Sequence, residues 1–174
     1  QGLSSYPHPW LMPDFWQFPT VSMGLGAIGA IYQARFNRYI HDRGLKDTSD
    51  QRVWTFLGDG EMDEPESQGA LTVASRHNLD NLIAIIDFNK WQATGRSAEI
   101  TALEPLDQKF QSFGWNSARI DGHDFLQIKS ALATAKKSDK PFAIIADTVK
   151  GKGIKMMEDD NNWHYRIPKP EEVA

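Results

Sequence analysis

The sequence has no cysteine. That excludes disulfides, thiolate metal sites and cysteine nucleophiles, and it fits a reducing compartment such as the cytoplasm. No apolar run approaches the roughly 20 residues of a membrane span and no signal segment is evident, so no membrane partner is expected. Blocks of like charge are absent as well, and the net charge is −4. This argues against nucleic acid as a partner and leaves any phosphate ligand to be met by local donors. The chain opens on Gln1 rather than methionine, which suggests a processed or excised piece. What is present is ordinary: 40% hydrophobic and 24% charged residues in a chain of 174. The expectation is a single domain over residues 1–174 burying roughly 70% of its unfolded surface.

Periodicity organises that domain. Residues 1–21 carry four prolines and five aromatics before Val21 and read as an irregular, packed arm, because solvated linkers lack such an aromatic load. From Ser22 apolar residues (Leu25, Ile28, Ile31, Phe36, Ile40) recur at helical spacing, with Gly44 as the stop. "RVWTFL" predicts a strand broken by Gly58, and Pro65 starts a helix reaching about His77. "NLIAIIDF" and "PFAIIADTV" predict buried strands, with a helix near 106–113, a weaker strand at "SARI" and a helix capped by Asp124 between them. Residues 151–174 read as a loop-rich tail. Strands alternating with helices imply an α/β fold, a doubly wound parallel sheet with helices on both faces, whose ligands sit beyond the carboxyl ends of the strands.

Two positions fall at those ends. Asp59 lies between Gly58 and Gly60 where a strand turns toward a helix, and Asn89 closes the next apolar strand thirty positions on. Gly60 permits close backbone approach to an anion, and the helix N-terminus that follows favours negative charge. Asp59 and Asn89 each offer an oxygen to a hard cation such as Mg2+ or Ca2+. Spacing alone leaves two ordinary turns as an equal reading. "GLGAIG" (Gly24, Gly26, Gly29) spells a dinucleotide fingerprint but follows no convincing strand, so close packing of a helix, including against another subunit, is preferred.

"GDG", the thirty-residue interval and the strand-end asparagine together resemble the thiamine diphosphate motif of the transketolase and pyruvate dehydrogenase superfamily. "SSYPHPWLMPDFWQFPTVSMGLGAIGAIYQARF" and "FLGDGEMDEPES" resemble the homodimeric bacterial pyruvate dehydrogenase decarboxylating component over residues 1–80. "LIAIIDFNKWQATGRSAEI" and "VKGKGIKMMEDDNNWHYRIP" resemble the N-terminal half of a transketolase over residues 82–170. The likeness suggests either an unusual natural member or two halves deliberately joined, and the family's first strand and helix are missing before "SSYPHP". It implies thiamine diphosphate and Mg2+ (or Ca2+) as cofactors, with Asp59, Asn89 and the Trp91 carbonyl on the metal. Gly60 and Glu61 would lie against the diphosphate, with Tyr6, Met23 (near the thiazolium) and Ala93 also on the cofactor, and His164 at the active-site entrance as the catalytic residue. The implied reaction cleaves a carbon–carbon bond of a ketose phosphate or 2-oxo acid. It also implies a homo- or hetero-oligomer in which a pyrimidine-binding domain or subunit supplies the activating glutamate, leaving this chain inactive alone.

Other residues have plainer readings. His123 before Asp124 suits turn chemistry and His77 a solvated helix end, while His8, between Pro7 and Pro9, is a weaker candidate for facing the cofactor. Most of the six tryptophans suit core or interface packing better than carbohydrate stacking. The alternatives from other classes are an engineered or structural domain that keeps the fold without its activity, and a nucleotide-binding module built on "GLGAIG".

Overall fold

The computed structural model describes residues 8–19 and 21–173. Four strands, β1 (Val53–Gly58), β2 (Leu82–Phe88), β5 (Asn116–Asp121) and β6 (Phe142–Asp147), form a parallel sheet in the order β1-β2-β6-β5. Two short strands, β3 (Trp91–Gln92) and β4 (Gly95–Arg96), make a separate antiparallel hairpin that periodicity did not reveal.

Alternation within the strands builds two cores. In β2, Leu82, Ala84, Ile86 and Phe88 face one way and join Ala143 and Ile145 of β6 beneath helices α1 (Leu25–Asp42), α2 (Pro65–Arg76) and α4 (Leu106–Ser112). Ile83 of β2 faces the other way with Phe142 and Ile144, beneath Ala131 and Ala135 of α5 (Phe125–Ala135). Helices therefore cover both faces, as expected. Asp124 caps α5 by accepting the N–H groups of Leu126 and Gln127 at 2.8 and 3.3 Å.

The large apolar side chains of α1 are placed differently from their expected role. Its buried face is made of small residues, Gly26, Ala27, Ala30 and Ala34 with Ile31, so the helix lies close on β1 and α2. Leu25, Tyr32, Phe36 and Tyr39 are exposed instead. Gly24 and Gly26 pack inward rather than toward another subunit: a Cβ on Gly26 would come within 3.2 Å of Leu57. The strand required for a dinucleotide fingerprint is absent too, since among the described residues the first strand begins at Val53.

The described part of the arm, residues 8–19, is irregular, as expected, but mostly unpacked. Trp10, at 89% exposure, with Leu11, Phe15 and Phe18, lies in the open, while Trp16 meets Phe56 of β1 edge-on. Of the tryptophans, Trp115 is a core residue; its indole N–H donates to the Leu71 carbonyl at 2.9 Å. The tail contains a short 3-10 turn (Asn161–His164) and a four-residue helix, α6 (Pro170–Val173), within otherwise irregular chain.

Candidate functional site

Parallel pairing brings the strand ends together. Gly58 stands opposite Asp87 and Phe88 opposite Asp147, so Asp59 and Asn89 both follow immediately beyond the carboxyl edge of adjacent strands. Neighbouring strands lie about 4.8 Å apart, so two residues thirty positions apart share one rim.

Asp59 is 1% exposed. One carboxylate oxygen accepts the N–H of Gly60 at 2.9 Å, and the other accepts the hydroxyl of Ser97 at 2.7 Å. Ser97 opens the short helix α3 (Ser97–Ile100) directly after β4, so this bond joins the hairpin to the aspartate loop. The N–H of Lys90 also points to Asp59. Burial raises the Asp59 pKa above its ordinary value despite these bonds, and the like charge of Asp87 pushes the same way.

The amide of Asn89 is fixed at both ends. Its Nδ2 donates to Asp87 at 3.1 Å, and its Oδ1 accepts the N–H of Trp91 at 3.0 Å. Thr148 donates its hydroxyl to the other oxygen of Asp87. Lys90, between Asn89 and Trp91, takes the left-handed conformation at φ 70°, the backbone turn that carries the chain into the hairpin.

Glu61 sits beside Gly60, 5% exposed, with its carboxylate turned inward. It accepts the N–H of Gly24 at 3.1 Å, with further bonds from the Gly26 and Gly58 N–H groups, and so caps α1 from across the fold. Its pKa is raised by burial. Gly24 precedes α1 at φ 82° with no side-chain cap of its own. Met23, next to it, is 61% exposed. Gly60 abuts Gln92 of the hairpin: an added Cβ would lie 3.1 Å from its side chain. Gln92 donates in turn to Asp63.

The tail closes on this hairpin. Asp159 pairs with Arg96, and Asn161 donates to the Ala93 carbonyl at 3.2 Å. His164 lies on the exposed part of the tail with its Nδ1 3.2 Å from Lys150; burial and then the Lys150 charge lower its pKa. His123 takes the structural role expected of it, its Nε2 accepting the N–H of Val149 at 2.8 Å. His8 accepts the N–H of Trp10 within its own turn, and His77 is exposed at the end of α2. Tyr6 lies outside the described residues.

The structure therefore brings Asp59, Gly60, Glu61, Asn89, Trp91 and Ala93 onto one rim. Ser97, Asp87, Arg96 and Asp159 belong to it as well and were not anticipated. A serine opening a helix looks like an ordinary cap in sequence, and the others carry no motif. Alongside lies a cleft of about 430 Å3 between Phe88, Lys90, Ala98, Ala102 and Leu103.

The donor set suits a hard divalent cation. The Asp59 carboxylate has about four lone-pair sites for the Gly60, Ser97 and Lys90 donors, and Asn89 Oδ1 keeps a second lone pair beyond the Trp91 N–H while Asp87 holds the amide nitrogen. A buried carboxylate beside a second carboxylate calls for positive charge, yet among the described residues Asp59 makes no ion pair. No group of three His, Asp or Glu side chains forms a metal cluster among the described residues, so one carboxylate, one amide and one carbonyl are the donors at issue.

Comparison with known proteins places this chain in a family. Residues 19–174 match the family described as transketolase, thiamine diphosphate binding domain. The pyruvate dehydrogenase E1 component of Escherichia coli is 59% identical over 123 residues, and that of Mycolicibacterium smegmatis 58% over 120, each match covering 68% of this chain. A match of that extent cannot avoid the middle of the chain, so it takes in both Asp59 and Asn89. The chain spans only 13–14% of the length of these relatives. Among solved structures, transketolase from Campylobacter jejuni superposes with a TM-score of 0.78 at 32% identity, covering 83% of this chain and 23% of that one. Transketolase from Leishmania mexicana, at 24% identity over 83% of this chain and 22% of its own, shares the fold with a TM-score of 0.75. With the sheet, the strand-end rim and the sequence match in agreement, the chain belongs to the transketolase thiamine diphosphate-binding domain family.

Proposed function

We propose that this chain binds thiamine diphosphate with Mg2+ as the diphosphate-side domain of a larger carbon–carbon bond-cleaving enzyme. The observation that carries the proposal is Asp59: a buried carboxylate without an ion pair among the described residues, at the strand-end rim beside Asn89. When bound, the cofactor supplies the nucleophilic carbon and the electron sink for cleavage next to a carbonyl. The chain's own residues hold it. Asp59, Asn89 and the Trp91 carbonyl would hold the metal, whose positive charge would offset that of the diphosphate. Gly60 lets the loop backbone approach the phosphates. Glu61, charged yet adjacent, directs its carboxylate at the N-terminus of α1 and so is kept off the phosphates. Met23 and Ala93 would border the cofactor, and neutral His164 would offer a hydrogen-bonding group at the entrance.

Of the two substrate classes, a 2-oxo acid is the better supported. Relatives 58–59% identical are pyruvate dehydrogenase E1 components, whereas the solved transketolase of Campylobacter jejuni is 32% identical. The chain acts with a pyrimidine-binding domain or subunit that supplies the activating glutamate. That partner docks on the exposed stripe of α1, where Leu25, Tyr32, Phe36 and Tyr39 follow one another at helical spacing. No helix among the described residues is long and apolar enough to cross a membrane, and a cytoplasmic setting accords with the absence of cysteine.

Calorimetry with thiamine diphosphate in the presence and absence of Mg2+, with NAD as control, tests the proposal. Binding is expected only with the metal, to be lost in Asp59→Ala and kept in Asp124→Ala. Equal binding by wild type and Asp59→Ala would overturn the site.

A further inference from the structure

The contact between the tail and the hairpin is more elaborate than loop packing requires. Asp159 accepts two bonds from the Arg96 guanidinium, at 2.7 and 2.6 Å, in the bidentate geometry that is strongest for this pair. The same Oδ1 accepts the Trp91 indole N–H at 2.9 Å. The Arg96 guanidinium lies 3.7 Å above the Trp91 ring, so stacking fixes the plane of the fork. Asp159 itself is held by its backbone, its N–H donating to the Lys150 carbonyl at 2.9 Å in a left-handed turn at φ 58°. Asn161 adds the bond to Ala93. Lys150, at the root of this tail loop, faces His164 at its end.

From this geometry we propose that Asp159 is a positioning residue that clasps residues 150–164 onto the β3–β4 hairpin, so that Trp91 and His164 are set as one unit. A lone exposed ion pair contributes little, and both side chains here are partly exposed. Several bonds converging on one carboxylate change that balance: the fork, the stacked indole and the strained backbone specify a single arrangement. Partial exposure still lets the clasp open without disturbing the core. The tail is thus a strap fastened to the residue whose carbonyl is assigned to the metal. The significance for cofactor binding rests on the reading under Proposed function; the clasp itself does not.

The test uses the whole chain without cofactor. Hydrogen exchange is compared between wild type, Asp159→Asn and Arg96→Lys. Asparagine tolerates the left-handed backbone and keeps one oxygen for the indole, so Asp159→Asn removes the charged fork alone. Arg96→Lys keeps the charge and removes the planar fork. Exchange is expected to rise about tenfold in both 90–97 and 150–164 in each variant, with the amides of β2 and β6 unchanged. Unchanged exchange, or a rise confined to the tail, would overturn the proposal. In parallel, affinity for thiamine diphosphate with Mg2+ is expected to fall about tenfold in Asp159→Asn. A wild type that binds no cofactor would refute the functional reading while leaving the exchange result to judge the clasp.

Discussion

The carboxylate of Glu61 and the backbone N–H of Gly24 meet at 3.1 Å across 37 positions of sequence. One acidic side chain thereby fastens the loop that carries Asp59 to the start of α1, next to Met23. Its charge is directed at the positive end of an 18-residue helix. Under the proposed function, an acid at this loop is compatible with a diphosphate over Gly60, because the carboxylate is turned toward α1.

Glu61→Ala should strand the N–H groups of Gly24, Gly26 and Gly58 in a buried setting. A loss of about 2 kcal/mol is expected from a missing cap with unsatisfied donors. Glu61→Gln keeps an accepting oxygen and removes the cost of a buried charge, and should stay within about 1 kcal/mol of wild type. Urea unfolding checks both; an alanine variant as stable as wild type would contradict the role.

Asp59 should make the cofactor-free chain more stable in acid than at neutrality as far as this group is concerned. Its folded pKa is raised above the ordinary 3.8, so the folded state holds its proton more tightly than the unfolded state does. The contribution is fully present below 3.8 and is lost as the pH rises through the folded pKa. Asp59→Asn should abolish that dependence and raise the melting temperature at pH 7 while removing metal-dependent cofactor binding, a trade of stability for function. Thermal melts of the two proteins across pH 4 to 8, both without cofactor, read the difference directly.

His164 should titrate below the ordinary histidine value of 6.5, because burial and Lys150 both disfavour its charged form. The folded state then binds less proton than the unfolded one, so the contribution of His164 to stability is present above 6.5 and declines as the pH falls through its folded pKa. Lys150→Ala should move the titration upward. NMR titration of the ring Cε1–H distinguishes this from an unperturbed midpoint that ignores Lys150.

The fold was legible because buried strands announce themselves. β2 and β6 read as continuous apolar runs, and Asp124 and Pro65 marked helix starts that the structure bears out. The positions of Asp59 and Asn89 followed from strand ends alone. The face of α1 did not, since alanine and glycine carry a weak apolar signal while Tyr32 and Phe36 carry a strong one, yet the small residues are the buried ones. The hairpin was invisible for another reason: two-residue strands are too short for alternation to register, and "AT" at its turn lacks the usual glycine or asparagine. The bonds of Ser97 to Asp59 and of Asp159 to Arg96 span 38 and 63 positions, and long-range polar pairing leaves no periodic trace in a single sequence.

The central claim concerns where a metal and a diphosphate sit. A crystal structure of the chain grown with Ca2+ and thiamine diphosphate, with anomalous scattering to locate the ion, tests it most directly. The account predicts one Ca2+ with oxygens of Asp59 and Asn89 and the Trp91 carbonyl at about 2.3–2.6 Å, bridging to the diphosphate over Gly60. An ion bound elsewhere, or a diphosphate held away from Asp59, would contradict it.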